Sequence, residues 1–428
     1  MMCGSMENTA TPPRGFRRVY QAGTRDGDGR FMGGTEIMQL VAHLGKLYAA
    51  TSVMGDRPGD DPAVGAQILV LDHPEQGWRV EHTFDTRSAR MSLASVTFAV
   101  DRRGRVLDTP AAILLAGPSD GQGSIAVYSR DEASGTWTER MLATSARSTS
   151  IRSLCSYRDT VTGVDRVFAG TSPSGIYSGA YDPTEPGKVA WDDGPEFSEY
   201  KNRPMAFAVC NGALHVTIKP HLYRRIDGAQ PRWELVYTLP EEVSRSRLSC
   251  GLRGLTTIPH SSGDGECMLA ALEGEQARIL QIDPRGGYRA TIDLDVLDFL
   301  ERQWGQRPGY AILAYNDMTT VPLPGIQGSP LLLGLEATSS MQHHTHPTDG
   351  WRPEGMYLVR YPDQRYQLRQ ISDPTLQPMP RLVSTRTIAV SPFDRRTLYF
   401  GGYDPNALPA HNTAWVYSAP IDVALSAG

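Results

Sequence analysis

A seven-bladed β-propeller of four-stranded antiparallel blades, an all-β fold, is predicted by three features of this sequence. Six aromatic-led segments recur along the chain, at Trp78, Trp137, Trp191, Trp233, Tyr288 and Tyr366. Each closes a unit of four short runs rich in β-branched and aromatic residues, bounded by Gly, Pro, Asp and Asn. The seventh such segment, GFRRVYQAG, lies at the other end of the chain and begins at Phe16. A sheet repeat whose last strand comes from the opposite terminus is how a ring of sheets closes.

Taken in order, residues 1–34 form an arm whose closing strand, 16–22, completes blade 7. Blades 1 to 4 occupy 35–86, 87–145, 146–199 and 200–241. Blade 5 spans 242–308 and blade 6 spans 309–374. Blade 7 takes 375–428, and the whole is one domain. Inner strands such as AILLAG and PLLLGLE are apolar throughout, as expected where both sheet faces are covered. Outer strands such as WRVEHTF alternate, as expected at an edge that meets water. Between blades 5 and 6, Leu297, Leu300 and Trp304 fall at helical spacing and predict a short helix over 295–305. The longest loop, 337–355, joins the second and third strands of blade 6.

Composition narrows the function. A net charge of −5 argues against a nucleic-acid partner. No run is long enough to span a membrane, so no membrane association is expected. The N-terminal stretch MMCGSMENTATPPRG lacks the apolar core of a signal peptide, so a cytoplasmic protein is expected. The five cysteines are dispersed and show no CxxC spacing.

Candidate site residues come from aligning the blades. The first residues of the innermost strands ring one mouth of the channel. They read Glu36, Arg90, Arg152, Arg203, Arg253, Asn316 and Arg386. Five arginines converging in an acidic protein suit a carboxylate or phosphate ligand, which guanidinium binds bidentately. The simpler account pairs each arginine with an acid of the next blade. The second strands end at the same mouth in Ser52, Ser119, Ser172, Lys219, Glu273, Glu336 and Tyr403. Lys219 joins the substrate-binding set. Glu273 and Glu336 are candidates for acid and base roles, or else counter-ions of Lys219 and Arg253. Tyr315, beside Asn316, is a candidate acid or hydrogen-bond donor, or else packing.

Three histidines crowd the blade-6 loop in Gln342-His343-His344-Thr345-His346. His344 and His346 point the same way on an extended segment. With Gln342, and with His411 from the blade-7 loop, they could hold a divalent metal such as Mn, Zn or Fe. His344 is also a candidate catalytic group. A solvated histidine-rich loop without metal is the alternative.

Gln342, His344 and His346, with the arginine ring, are similar in kind to the metal-holding Gln and His and the substrate-side Arg of oligogalacturonate lyases. Those enzymes are seven-bladed propellers, and the resemblance implies manganese and a uronate-like substrate. The channel-mouth arginines and Tyr315 also resemble the Arg and Tyr of cyanobacterial propeller enzymes that alkylate aromatic rings. The expectation is an enzyme for a small anionic, carboxylate-bearing molecule held in the central funnel. It would act by acid/base or metal-assisted chemistry, as a lyase, hydrolase or biosynthetic bond-forming or rearranging enzyme. The alternative is a non-catalytic scaffold for a protein partner, or a sugar-binding module.

Overall fold

The computed structural model describes residues 15–53, 65–84, 88–120, 123–145, 149–199, 201–244, 251–315, 317–323, 328–339, 350–352, 354–376, 382–404 and 411–426. Five four-stranded antiparallel sheets form blades 1 to 5. Their innermost strands are Glu36–His43, Ser88–Val100, Ser150–Arg158, Pro204–Cys210 and Gly251–Pro259. Blades 6 and 7 are joined into one nine-stranded sheet by a single parallel bridge, Met356 to Ser384. Blade 7 consists of Ser384–Val390, Thr397–Tyr403, Ala414–Pro420 and, from the N-terminal end, Arg17–Gln21. That last strand runs antiparallel to Ala414–Pro420, with Arg17 opposite Ser418 and Gln21 opposite Trp415. The inner strands of each blade neighbour those of the next in ring order, and the innermost strand of blade 7 meets that of blade 1. The fold is a closed seven-bladed β-propeller.

The core is divided by seam. Seven apolar clusters among the described residues fall one to each interface between adjacent blades. Each blade is therefore buried on both faces, which is why its inner runs are apolar without alternation. Charged staples reinforce three seams at the outer strands. Arg130 of blade 2 reaches Glu81 of blade 1 at 2.6 Å. Arg225 of blade 4 bonds Asp159 and Glu196 of blade 3 at 2.7 and 2.6 Å. Arg360 of blade 6 bonds Asp293 of blade 5 at 2.8 Å.

The helix forms over Val296–Trp304. Asp295 caps it by accepting from the Asp298 amide, and Gly305 ends it in the left-handed conformation, φ 69°. Val296, Leu297, Phe299 and Leu300 are buried against blades 5 and 6. Trp304 carries the Arg352 guanidinium over its ring at 4.4 Å, which ties the helix to the end of the long blade-6 loop.

Closure at the N-terminal strand rests on Phe16, whose ring packs edge-on to Phe400 at 5.4 Å and to Tyr357 at 6.5 Å. Phe16→Ala is expected to lower the unfolding free energy by about 3–5 kcal/mol, as measured by urea denaturation.

Candidate functional site

One irregularity recurs at the mouth of the channel. In six blades the innermost strand carries one extra residue near its start, a β-bulge. The bulges fall between Ile37 and Gln39, Ser88 and Arg90, Ile151 and Ser153, Pro204 and Ala206, Leu252 and Leu255, and Thr385 and Thr387. A bulge releases a side chain from the strict alternation of a strand and re-aims it. In blades 3, 5 and 7 the released residue is an arginine: Arg152, Arg253 and Arg386.

In blade 6 the innermost strand breaks instead. Ala311–Leu313 and Thr319–Thr320 pair separately with Leu331–Ala337, and the chain between them bows into the channel. Tyr315 sits on this bow. Its ring receives the guanidiniums of Arg386, Arg253 and Arg152 at 3.7, 4.3 and 4.6 Å from its centroid. It also packs against the apolar cluster between blades 1 and 2, on the far side of the ring. A residue of blade 6 touched from blades 1, 2, 3, 5 and 7 lies on the channel axis. Two details permit this reach. Ala314 takes a left-handed backbone, φ 46°, at a cost of about 1–3 kcal/mol. Gly254 leaves room for it, since a Cβ there would stand 2.7 Å from the Ala314 Cβ.

The charges round this tyrosine are unevenly matched. Arg253 is ion-paired with Glu273. Arg386, 5% exposed, lies 2.9 Å from Glu36 and 3.0 Å from Glu336, and bonds Tyr403 Oη at 3.2 Å. The Glu336 contact is a close approach of charges rather than an aligned hydrogen bond, since Arg386 Nη1 and Glu336 Oε2 both lack one. Tyr403 donates to the other oxygen of Glu336 at 2.9 Å, and Ser52 donates to Glu36 at 3.1 Å. Burial opposes the Arg386 charge, but Glu336, Tyr403 and Glu36 outweigh it and hold the group well above its ordinary range.

Blades 3 and 4 differ. Among the described residues, neither Arg152 nor Arg203 meets a carboxylate within ion-pair distance. Arg152 is 7% exposed. Burial first, and then the charges of Arg253, Arg90 and Arg203, pull it down to about 10, with Tyr315 opposing. Arg203 is exposed at the mouth and is also shifted down, by desolvation and then by Arg90. The Lys219 stem lies against Gly251, where a Cβ would be 2.8 Å from its Cγ. Among the described residues, the ion-paired carboxylates Glu273, Glu336 and Glu36 lie on blades 5, 6 and 1, and Arg152 and Arg203 stand on blades 3 and 4.

Tyr315 responds to this imbalance. Desolvation pushes its phenol up, but Arg152, then Arg386 and Arg253, overcome both that and the opposing Glu36 charge. The net effect is a lowering from 10.0 to about 7. Asp317, two residues on, moves the other way. Burial raises it to about 6, against the pull of the Thr387 hydroxyl at 2.7 Å and the more distant Thr319 hydroxyl. Thr387 also accepts from the Leu40 amide at 3.2 Å, so this carboxyl fastens the bow to blades 7 and 1.

The mouth brings together Glu36, Arg152, Arg203, Arg253, Arg386, Glu273, Glu336 and Tyr315, and the Arg90 charge acts on both Arg152 and Arg203. Asn316, Gln342, His344 and His346 lie outside the described residues. His411 is buried and packs edge-on to Phe31 at 5.7 Å, beneath the N-terminal strands. Asp317 and the bulges escaped the sequence alignment. The only trace of them is the stretch Ala-Tyr-Asn-Asp, where the apolar run of blade 6 is interrupted.

Comparison with known proteins gives the fold and no family. No family model matches the sequence, and no curated protein matches it. A solved structure of the E242A mutant of the α-L-arabinofuranosidase Arb93A from Fusarium graminearum, in complex with an iminosugar inhibitor, is similar over 96% of this chain and 99% of that one. Its TM-score is 0.51 at 10% identity. Virginiamycin B lyase from Staphylococcus aureus is similar over 94% and 99%, with TM-score 0.49 and 10% identity. Chaetomium thermophilum Sqt1, bound to the N-terminus of ribosomal protein L10, covers 91% and 86%, with TM-score 0.45 and 13% identity. At 10% identity the likeness to the arabinofuranosidase is one of fold alone. Among the described residues no helix is long and apolar enough to cross a membrane.

The uneven pairing separates two arginines that look alike in sequence. Arg386→Ala strands Glu36 and Glu336 in a buried site and is expected to cost about 3–5 kcal/mol in stability. Arg152→Ala strands no acid and relieves repulsion, so its unfolding free energy should change by less than about 1 kcal/mol. Chemical denaturation of both variants checks the difference.

Proposed function

We propose that this protein is an enzyme that binds a small carboxylate-bearing molecule in its central funnel and uses Tyr315 as the general base. The observation that carries this reading is that, among the described residues, Arg152 and Arg203 meet no carboxylate within ion-pair distance on the side of the mouth adjoining Tyr315. Keeping the buried Arg152 guanidinium charged without a carboxylate is unfavourable. An incoming carboxylate supplies the partner, and Arg90, Arg152 and Arg203 fix its place over blades 2 to 4.

A phenol near pH 7 is suited to proton transfer, because it exists as phenolate at working pH yet remains basic enough to accept a proton. In this reading Tyr315 takes a proton from the substrate atom next to the bound carboxylate. The charge that develops on the carboxylate oxygens is met by the arginines, already in place before reaction. Elimination is the simplest outcome: the C–H electron pair becomes a C=C bond as a leaving group on the adjacent substrate carbon departs with its bonding pair, which makes the protein a lyase. Asp317 acts as a positioning residue by fastening the bow through Thr387 and Thr319. Glu273, Glu336 and Glu36 serve as counter-ions of Arg253 and Arg386 on the other half of the mouth.

A binding module would present an apolar face at the mouth. The large exposed apolar residues described are Leu44, Val106, Met141, Val161, Val209, Leu235 and Ile292. They lie on turns and strands away from the ends that form the funnel.

Phenolate and substrate carboxylate compete for the same guanidiniums. Binding of a panel of mono- and dicarboxylates, followed by calorimetry, is expected to weaken as pH rises through about 7. Arg152→Ala should reduce the affinity about 10–100-fold. Tyr315→Phe should keep binding, remove its pH dependence and abolish turnover of the ligand that the panel identifies. Carboxylate binding that Arg152→Ala leaves unchanged would sink this reading.

A further inference from the structure

The opposite rim of blade 5 carries a second cluster of reactive side chains. His260 closes the first strand of the blade, Cys267 lies at the start of the second, Glu266–Glu273, and Asp283 ends the third, Arg278–Asp283. One donor atom from each, an imidazole nitrogen, a thiol sulfur and a carboxylate oxygen, lies within 4.8 Å of the other two. Met268 packs on blade 4, whereas Leu269 packs on blade 6. Strand alternation therefore puts Cys267 on the blade-6 face with Leu269, and with Asp283 of the neighbouring strand. Cys267 is fully buried, while His260 and Asp283 are partly exposed. The sulfur thus forms a floor, with nitrogen and oxygen at the sides and the fourth direction open to solvent.

We infer that His260, Cys267 and Asp283 form a binding site for a thiophilic divalent cation such as Zn²⁺, separate from the funnel. Sulfur, imidazole and carboxylate with one open position is a donor set that zinc takes tetrahedrally, with ligand atoms about 3.5 Å apart. His260 Nε2 and Asp283 Oδ2 already stand 3.8 Å apart. Rotation of the partly exposed imidazole closes the remaining gap to the sulfur.

The surroundings hold the donors in place. Ser262 Oγ lies 2.7 Å from His260 Nδ1, and the Arg285 amide donates to Asp283 Oδ1 at 2.9 Å. Such outer contacts fix the rotamer and tautomer of ligands. The Ser262 amide also points at Nδ1, at 3.1 Å, which leaves the ring proton on Nε2 facing Asp283. A bound cation replaces that proton; Nδ1–H then donates to Ser262 Oγ, and the imidazole rotation breaks the bond from the Ser262 amide. The nearest opposing charge, Arg285, is drawn off by Asp264 at 2.9 Å. The thiol binds as thiolate, so the cation also displaces the Cys267 proton.

The test uses full-length untagged protein stripped with chelator and reloaded with Co²⁺ or Zn²⁺. One equivalent of Co²⁺ is expected to bind with a thiolate-to-cobalt charge-transfer band. Cys267→Ser should remove the band, and His260→Ala should weaken zinc at least tenfold. His344→Ala/His346→Ala should leave both unchanged. The wild-type spectrum needs no variant to fold, so absence of the band at saturating Co²⁺ overturns the inference. A band or a zinc equivalent that survives Cys267→Ser overturns it too. Because Arg152→Ala does not touch this rim, it should leave cobalt binding intact even if the funnel reading fails.

Discussion

Three guanidinium groups stacked round one phenol ring are the constraint on which this channel depends. Each is attracted to the ring face, but the three repel one another, and burial strengthens both effects. Glu273 compensates Arg253, and Glu36 with Glu336 compensates Arg386. Nothing described compensates Arg152 except Tyr315 itself, whose phenolate becomes affordable near neutral pH for that reason. The arginines lower the tyrosine and the tyrosine sustains the arginines, so neither can be understood as an isolated residue.

The fold makes that arrangement possible by separating two duties. Stability is carried at the seams by seven apolar clusters and, farther out, by the staples of Arg130, Arg225 and Arg360. Arg152 and Arg203, on blades 3 and 4, take no part in those staples. Bulges aim three of the inner arginines at the axis. The broken strand of blade 6 brings Tyr315 to meet them, at the expense of a strained Ala314 and with the clearance given by Gly254. Strain of this kind persists where surrounding structure over-determines it, and it gathers at functional sites.

Much of this was legible in the sequence. Seven repeats with turn residues between apolar runs specify blades, and Phe16 placed before the first repeat specifies how the ring closes. The helix was legible to within a residue at each end because Asp295 and Gly305 are strong caps. The arginines were visible as residue types at recurrent positions. Their pairing was not, because which acid faces which arginine depends on neighbouring blades and not on spacing along the chain. A bulge was also invisible, since one extra residue in a strand shows only against its partner's register. For the same reason an alignment could pick out Tyr315 and Asn316 without telling which occupies the axis. Asp317 carried no signal, because its upward shift comes from burial and from Thr387, which is distant in sequence.

The most direct measurement of this account is a spectrophotometric pH titration of the tyrosines in the wild-type protein and in Tyr315→Phe. The account predicts one phenol ionising near pH 7, well before the rest, and its disappearance in the variant. If no tyrosine ionises below the ordinary range, or if an early phenol survives in Tyr315→Phe, the arginine cluster does not act on Tyr315 as described and the base assigned here is wrong.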